Sequence, residues 1–265
     1  GIRDTDRSRG VGDVYKRQTC VFFGYFLTHR ERLRVGRVKL DLAAYRRILP
    51  LGLSEGLNEL SNGLVIFLFN HTILRVIGEG ALASYTIISY VNTLVLMTMT
   101  GTAQGMQPLV SFHLGAGERK NCHRLLKYGV SLIAAFSVVS FALGELGAPA
   151  IVSAFLPTDS AVFSYSISAL RMYSSSFLVL GFNVIFAAFF TAVERPVFAF
   201  SISFGRSLVL LVASLLILSS LFGDKGIWFS TLCSELLCLC LTAFCAWRYF
   251  RSHRRENPLP AAEQV

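Results

Sequence analysis

Glu55 and Glu59 stand one helical turn apart inside a long apolar stretch, and Asn58 and Asn62 form a second pair at the same spacing on the adjacent face. Two carboxylates on one helical face repel each other, and a proton or a bare cation relieves that repulsion. The Asn side chains and backbone carbonyls supply further oxygens. The spacing therefore points to proton or cation binding; capping, or bridging to Arg171, is the alternative. Arg171, Arg206 and Glu235 also interrupt apolar stretches. Each ionisable group at membrane depth costs on the order of 2.5–3.5 kcal/mol on insertion scales, so each needs a reason. A helical rise of about 1.5 Å per residue puts Glu59 about 16 Å, Arg171 about 15 Å, and Arg206 and Glu235 about 13 Å from the ends of their stretches. Against a hydrocarbon core of about 30 Å, all four fall near the midplane. Arg206 and Glu235 occupy consecutive stretches, which makes them the candidates for a structural ion pair.

The elements that carry these residues follow from composition. Of 265 residues, 53% are hydrophobic and 15% charged, and 22 are Phe. A water-soluble domain carries more charge, and a disordered chain carries far less apolar side chain. The expected fold is all-α: a polytopic membrane helical bundle. Six full spans are expected at 48–74, 81–112, 125–156, 161–193, 197–221 and 227–250. Turn residues separate them: Gly78-Glu-Gly80, Gly115-Ala-Gly117, Pro157-Thr-Asp159, Glu194-Arg-Pro196 and Gly223-Asp-Lys-Gly226. Such short connections make neighbouring helices antiparallel. Gly101 and Gly105 form a GxxxG that lets helices approach closely, and Pro108 and Pro149 are candidate kinks.

Residues 1–18 have neither an initiator Met nor an apolar core and read as a non-native or disordered prefix. Residues 19–28 read as the remnant of a truncated transmembrane helix, so the chain is expected to lack an N-terminal part. Residues 29–47 form a basic loop and amphipathic lead-in, 48–250 the transmembrane lobe, and 251–265 a tail. The net charge is +9. Its basic residues collect in alternate connections: Arg30 to Arg47, Arg119 to Lys127, Arg195, and Arg248 to Arg255, against only Arg75 and Lys225 in the others. That is the topogenic pattern of a membrane protein, with the C-terminus expected in the cytoplasm. It does not favour nucleic acid as a partner. The six cysteines form no CxxC pair and no His sits at zinc-ligand spacing, so no metal site is expected. Neither GxSxG nor HExxH occurs, and no enzymatic constellation stands out.

Several motifs resemble a known family. The stretch 51–61, LGLSEGLNELS, looks like the opening of the seventh helix of MATE multidrug exporters. The stretch 101–117, GTAQGMQPLVSFHLGAG, is similar to their eighth-helix signature, and Leu170-Arg-Met-Tyr173, Gly181-Phe-Asn183 and Phe190-Thr-Ala-Val-Glu-Arg-Pro196 resemble the tenth helix and its exit. Gly223-Asp-Lys-Gly-Ile-Trp228 looks like the last outer turn. The likeness runs from about Leu40 to Phe250 and is greatest to the subgroup with the staphylococcal exporter. It implies one six-helix lobe of a twelve-helix transporter in the bacterial inner membrane, which works with a missing N-terminal lobe. The implied activity is export of organic cations or drug-like molecules by alternating access, with Na⁺ or H⁺ as the coupling ion and no other cofactor. Glu55 and Glu59 match the acidic residue that some members use for coupling on the seventh helix. Others use an Asp on the eighth or tenth helix; here Gln104 and Asn183 are the comparable polar groups. Gln104, Gln107, Arg171 and Asn183 are the implied cavity or substrate residues. A lipid-linked sugar flippase of the same superfamily is the alternative, given weight by Arg171 and Arg206, and an intramembrane enzyme is a remote one. One lobe alone is expected not to transport unless two copies pair.

Overall fold

The computed structural model describes residues 17–25 and 60–256, the last five by backbone alone. Residues 17–25 are helical and belong to a unit separate from the rest. From Leu60 to Glu256 the chain is helix and turn, and no strand occurs among the described residues. Calling the 17–25 helix α1, the others are α2 (Leu60–Val76), α3 (Gly80–Gly115), α4 (Arg119–Leu146), α5 (Ala148–Ser153), α6 (Phe163–Ser174), α7 (Phe177–Ala192), α8 (Pro196–Phe204) and α9 (Leu210–Glu256), with a π-helical segment, Gly205–Val209, joining the last two.

The protein is an all-helical membrane bundle. Its large apolar side chains face outward as often as inward: Leu94, Phe112, Leu146, Val197 and Leu221 are all more than two-thirds exposed. Such an exterior suits lipid, not water. Three helices, Gly80–Gly115, Arg119–Leu146 and the run Pro196–Arg251, are long and apolar enough to cross a membrane. The pair α6 and α7 makes a fourth when counted as one bent span. The sixfold count expected from sequence is thus not reached by separate long helices among the described residues. Leu60–Val76 is too short by itself, and most of the first half of that expected span lies outside the described residues.

The run Pro196–Arg251 would extend over about 84 Å if straight, far more than a bilayer is thick. It folds back instead. Gly223 leaves helical geometry at φ 60°, ψ −129°. The Cys238 thiol then reaches the Ile202 carbonyl at 3.7 Å, and Arg206 meets Glu235. These pairings make two antiparallel arms with Gly223 at the tip. Gly226 packs directly on the Leu218 carbonyl, where any Cβ would collide.

Local chemistry sets the other ends. Gly117, at φ 77°, closes α3: its amide donates to the Leu114 carbonyl and the Glu118 amide donates to the His113 carbonyl. That is a Schellman motif with glycine in the left-handed position. The same pair of bonds closes α7, from Glu194 to Thr191 and from Arg195 to Phe190. Here Glu194 takes the left-handed conformation, at φ 59°, and Pro196 then opens α8. Pro149 lies in the first turn of α5, just after a break at Gly147, so it starts a helix and does not kink one. Pro108 stays inside α3. The bend of 42° between α6 and α7 falls at Ser174–Phe177, where no proline stands.

Two apolar clusters fill the bundle. One collects Met99, Val110, Ile133, Phe189, Phe190, Ile202 and Tyr249 towards the end where the basic residues lie. The other collects Phe69, Ile73, Ile88, Leu170, Phe177, Leu215 and Trp228 at the opposite end. Helix α3 packs against α4, α6 and α7. The close approaches use Gly129, Gly144 and Gly181, whose added Cβ atoms would strike Met106, Ser174 and Ile133. Gly101 and Gly105 lie on an open face: a Cβ at either meets nothing within 4 Å, so among the described residues no helix makes the close approach that the GxxxG permits.

Candidate functional site

Between the two apolar clusters the bundle holds a polar quartet. On the second arm of α9, Glu235 lies between Trp228 of one cluster and Cys238 of the other. On the opposite arm, Arg206 lies between Ile202 and Leu215, within the π-helical segment. A π turn inserts one extra residue and rotates the side chains beyond it, a device that often re-aims functional groups. Arg206 Nη1 donates to Glu235 Oε1 at 3.2 Å. Asn183, on α7, donates from Nδ2 to Glu235 Oε2 at 2.7 Å and to the Glu235 carbonyl at 3.0 Å. Thr242 donates its hydroxyl to Asn183 Oδ1 at 2.9 Å.

Asn183, Glu235 and Thr242 are buried, and Arg206 is partly buried, with 21% of its side chain exposed. Asn183 is 0% and Glu235 4% exposed. The Glu235 carboxylate has a donor on each oxygen, and the Asn183 amide uses both ends. A buried ion pair adds little net stability compared with a well-packed apolar pair, but losing one partner strands a charge and costs about 3–5 kcal/mol. Such a network holds α7 to both arms of the Pro196–Arg251 run.

The other sequence-predicted residues are dispersed. Glu55, Asn58 and Glu59 lie outside the described residues. Asn62 is exposed near the start of α2. Gln104 is exposed on α3, on the same stripe as Met97, Gly101, Pro108 and Phe112. Gln107 is half-buried, and its Nε2 donates to the Ala188 carbonyl at 3.5 Å. Arg171 donates from Nε to the Glu145 carbonyl at 3.0 Å. That carbonyl lies four residues before Pro149, which has no amide hydrogen to give it. Arg171 therefore supplies the donor that the proline removes. No hydrogen bond joins Gln104, Arg171 and Asn183 to one another among the described residues.

Sequence reading missed Thr242. Its signal is spacing: Glu235, Cys238 and Thr242 recur at three and four residues, which is one helical face. At the turn between α3 and α4, Glu118 accepts hydrogen bonds from His113 Nδ1 and Asn121 Nδ2, each at 2.7 Å. Those bonds, the one from His113 foremost, hold its carboxyl below the usual carboxylate range.

Comparison with known proteins then bears on what this arrangement serves. The MatE family model matches residues 57–216. An FAD transporter of Shewanella oneidensis is 22% identical over 207 residues, covering 78% of this chain and 44% of that protein. The multidrug export protein MepA of Staphylococcus haemolyticus is 24% identical over 206 residues, covering 78% of this chain and 42% of that protein. A solved structure of a multidrug resistance MATE family transporter of the MOP superfamily, in an outward-facing conformation, superposes with a TM-score of 0.76 at 20% identity, covering 89% of this chain and 54% of that one. The chain spans about half the length of the relatives it matches.

Proposed function

Since the chain belongs to the MatE family, whose members are transporters and not enzymes, we propose that it forms one lobe of a cation-coupled antiporter that exports organic cations and other drug-like molecules by alternating access. The observation that carries this reading is the family match across 57–216, over a bundle whose fold is that of MATE transporters. The lobe works with a second six-helix unit around a shared cavity. Its basic connections face the cytoplasm of a bacterial inner membrane, as the distribution of Lys and Arg favours.

Within this reading the coupling ion, Na⁺ or H⁺, is taken by Glu55 and Glu59 with help from Asn58 and Asn62. Gln104 faces the cavity from the open stripe of α3. The quartet stays structural, because its members bond one another and join α7 to both arms of the Pro196–Arg251 run. The flippase reading drew on Arg171 and Arg206. Each makes a single bond, one to a backbone carbonyl and one to Glu235, and a guanidinium has five N–H donors, so that reading stays as the alternative.

The test is export of ethidium from an efflux-deficient bacterium carrying the full-length gene, under an imposed Na⁺ or pH gradient. Wild type is compared with Glu55→Gln and Glu59→Gln, and FAD is followed in parallel. The expected result is ethidium export that either substitution uncouples from the gradient. Export indifferent to both substitutions moves coupling to the other lobe. Export of FAD with no movement of ethidium overturns the organic-cation assignment.

A further inference from the structure

At the end of the bundle where the basic residues collect, α4, α7 and the C-terminal part of α9 leave a cavity of about 440 Å³ between them. Five of its lining residues, His123, Leu126, Lys127, Val130 and Ser131, recur at three and four residues and so form one face of α4. Phe186 and Phe250 close the other sides. The walls are apolar, and the charge is confined to the rim.

That charge has one sign. No carboxylate lines the cavity. Lys127 is exposed and forms no ion pair among the described residues. His123 Nδ1 lies 2.7 Å from the Arg119 carbonyl, which can only accept. The Nδ1 hydrogen is therefore spent there, and Nε2 is the nitrogen left for an outside partner; when protonated it becomes a second donor.

Depth is fixed by independent residues. Tyr128 follows Lys127 and is 61% exposed, and Trp247, one turn before Phe250, is 54% exposed with Arg251 stacked 4.9 Å over its ring. Exposed Tyr and Trp beside Arg and Lys mark the headgroup level of a bilayer. The cavity thus opens where phosphates lie, and its apolar walls lead towards the acyl chains.

We propose that this cavity holds one anionic phospholipid, with its phosphate against Lys127 and His123 and the upper part of an acyl chain along Val130 and Phe186. Basic pockets between transmembrane helices at this level are the setting in which acidic lipid headgroups are recognised. A cavity this size takes a phosphoglycerol headgroup and the start of one chain. The remaining chain lies along the lipid-facing surface. The site is independent of what the protein exports, so the two readings stand or fall separately.

Native mass spectrometry of the chain, released from detergent after equilibration with equal amounts of phosphatidylglycerol and phosphatidylcholine of matched chains, tests it. The expected result is retention of phosphatidylglycerol over phosphatidylcholine. One basic side chain near a lipid surface is worth a factor of about five in affinity, so Lys127→Gln is expected to weaken retention about fivefold. Lys127→Arg keeps it. Lys120→Gln, in the same basic run but outside the cavity, leaves it unchanged. Val130→Phe keeps every charge and fills the slot, and is expected to lose the lipid while the far-ultraviolet circular dichroism stays the same. Equal retention of both lipids overturns the proposal. So does an equal effect of Lys120→Gln and Lys127→Gln, and so does displacement of the lipid by inorganic phosphate, which would make this a free-anion site.

Discussion

The seam between α7 and the two arms of the Pro196–Arg251 run and the outer stripe of α3 are both polar interruptions of an apolar lobe, and they are built in opposite ways. At the seam, Asn183, Arg206, Glu235 and Thr242 bond one another. On the stripe, Gln104 is exposed beside Gly101 and Gly105, and nothing among the described residues packs on it. The difference teaches that polarity inside a membrane lobe does not by itself mark a cargo site. A network of side chains that bond one another holds helices together; a polar group on an open face is what a second lobe or a cargo can meet.

The largest break of that contrast comes from Glu235→Ala, which leaves the partly buried Arg206 and the buried Asn183 amide without their partner. A loss of about 3–5 kcal/mol of stability is expected, read as a large fall in melting temperature in detergent. Gln104→Leu, on the open stripe, is expected to stay within about 0.5 kcal/mol of wild type in the same melt. Equal losses would erase the distinction.

Glycines sharpen it at intermediate size. At Gly181 an added Cβ would lie 2.6 Å from Ile133 and 2.9 Å from Met99, so Gly181→Ala is expected to cost about 1–3 kcal/mol by overpacking. At Gly105 the space is open, and Gly105→Ala is expected to stabilise the free lobe by about 0.5–1 kcal/mol through helix propensity. Thermal melts of the two variants side by side decide this.

The smallest effect tests a repair near the seam. Removing the Arg171 donor with Arg171→Met is expected to cost about 1 kcal/mol. In a Pro149→Ala background the backbone can serve the Glu145 carbonyl itself, so the same substitution is expected to cost less. A cost unchanged by the background would separate Arg171 from the proline.

Much of this was legible in the sequence wherever chemistry is local. Gly117, Pro196 and Gly223 fall at the turns their residue types demand. Arg206 and Glu235 were legible as partners because depth and consecutive helices leave few others. The rest depends on which neighbour lies on which side. Gly101 and Gly105 declare that a close approach is possible, but not that a helix of this lobe makes it. The bend at Ser174–Phe177 and the π turn around Arg206 carry no proline, so nothing local announces them. Thr242 joins the quartet only through the tertiary position of Asn183. Of the expected coupling group, Glu55, Asn58 and Glu59 lie outside the described residues.

The central claim is that the seam serves the fold, with transport proposed for the open stripe. The double variant Arg206→Met/Glu235→Met of the full-length protein tests it most directly, by melting temperature and ethidium export at matched abundance. Replacing a buried pair by apolar groups of similar size is often neutral or stabilising, so the account predicts a melting temperature near wild type and retained export. A double variant that melts like wild type and exports nothing would contradict it, and would move the pair from the scaffold into the transport cycle.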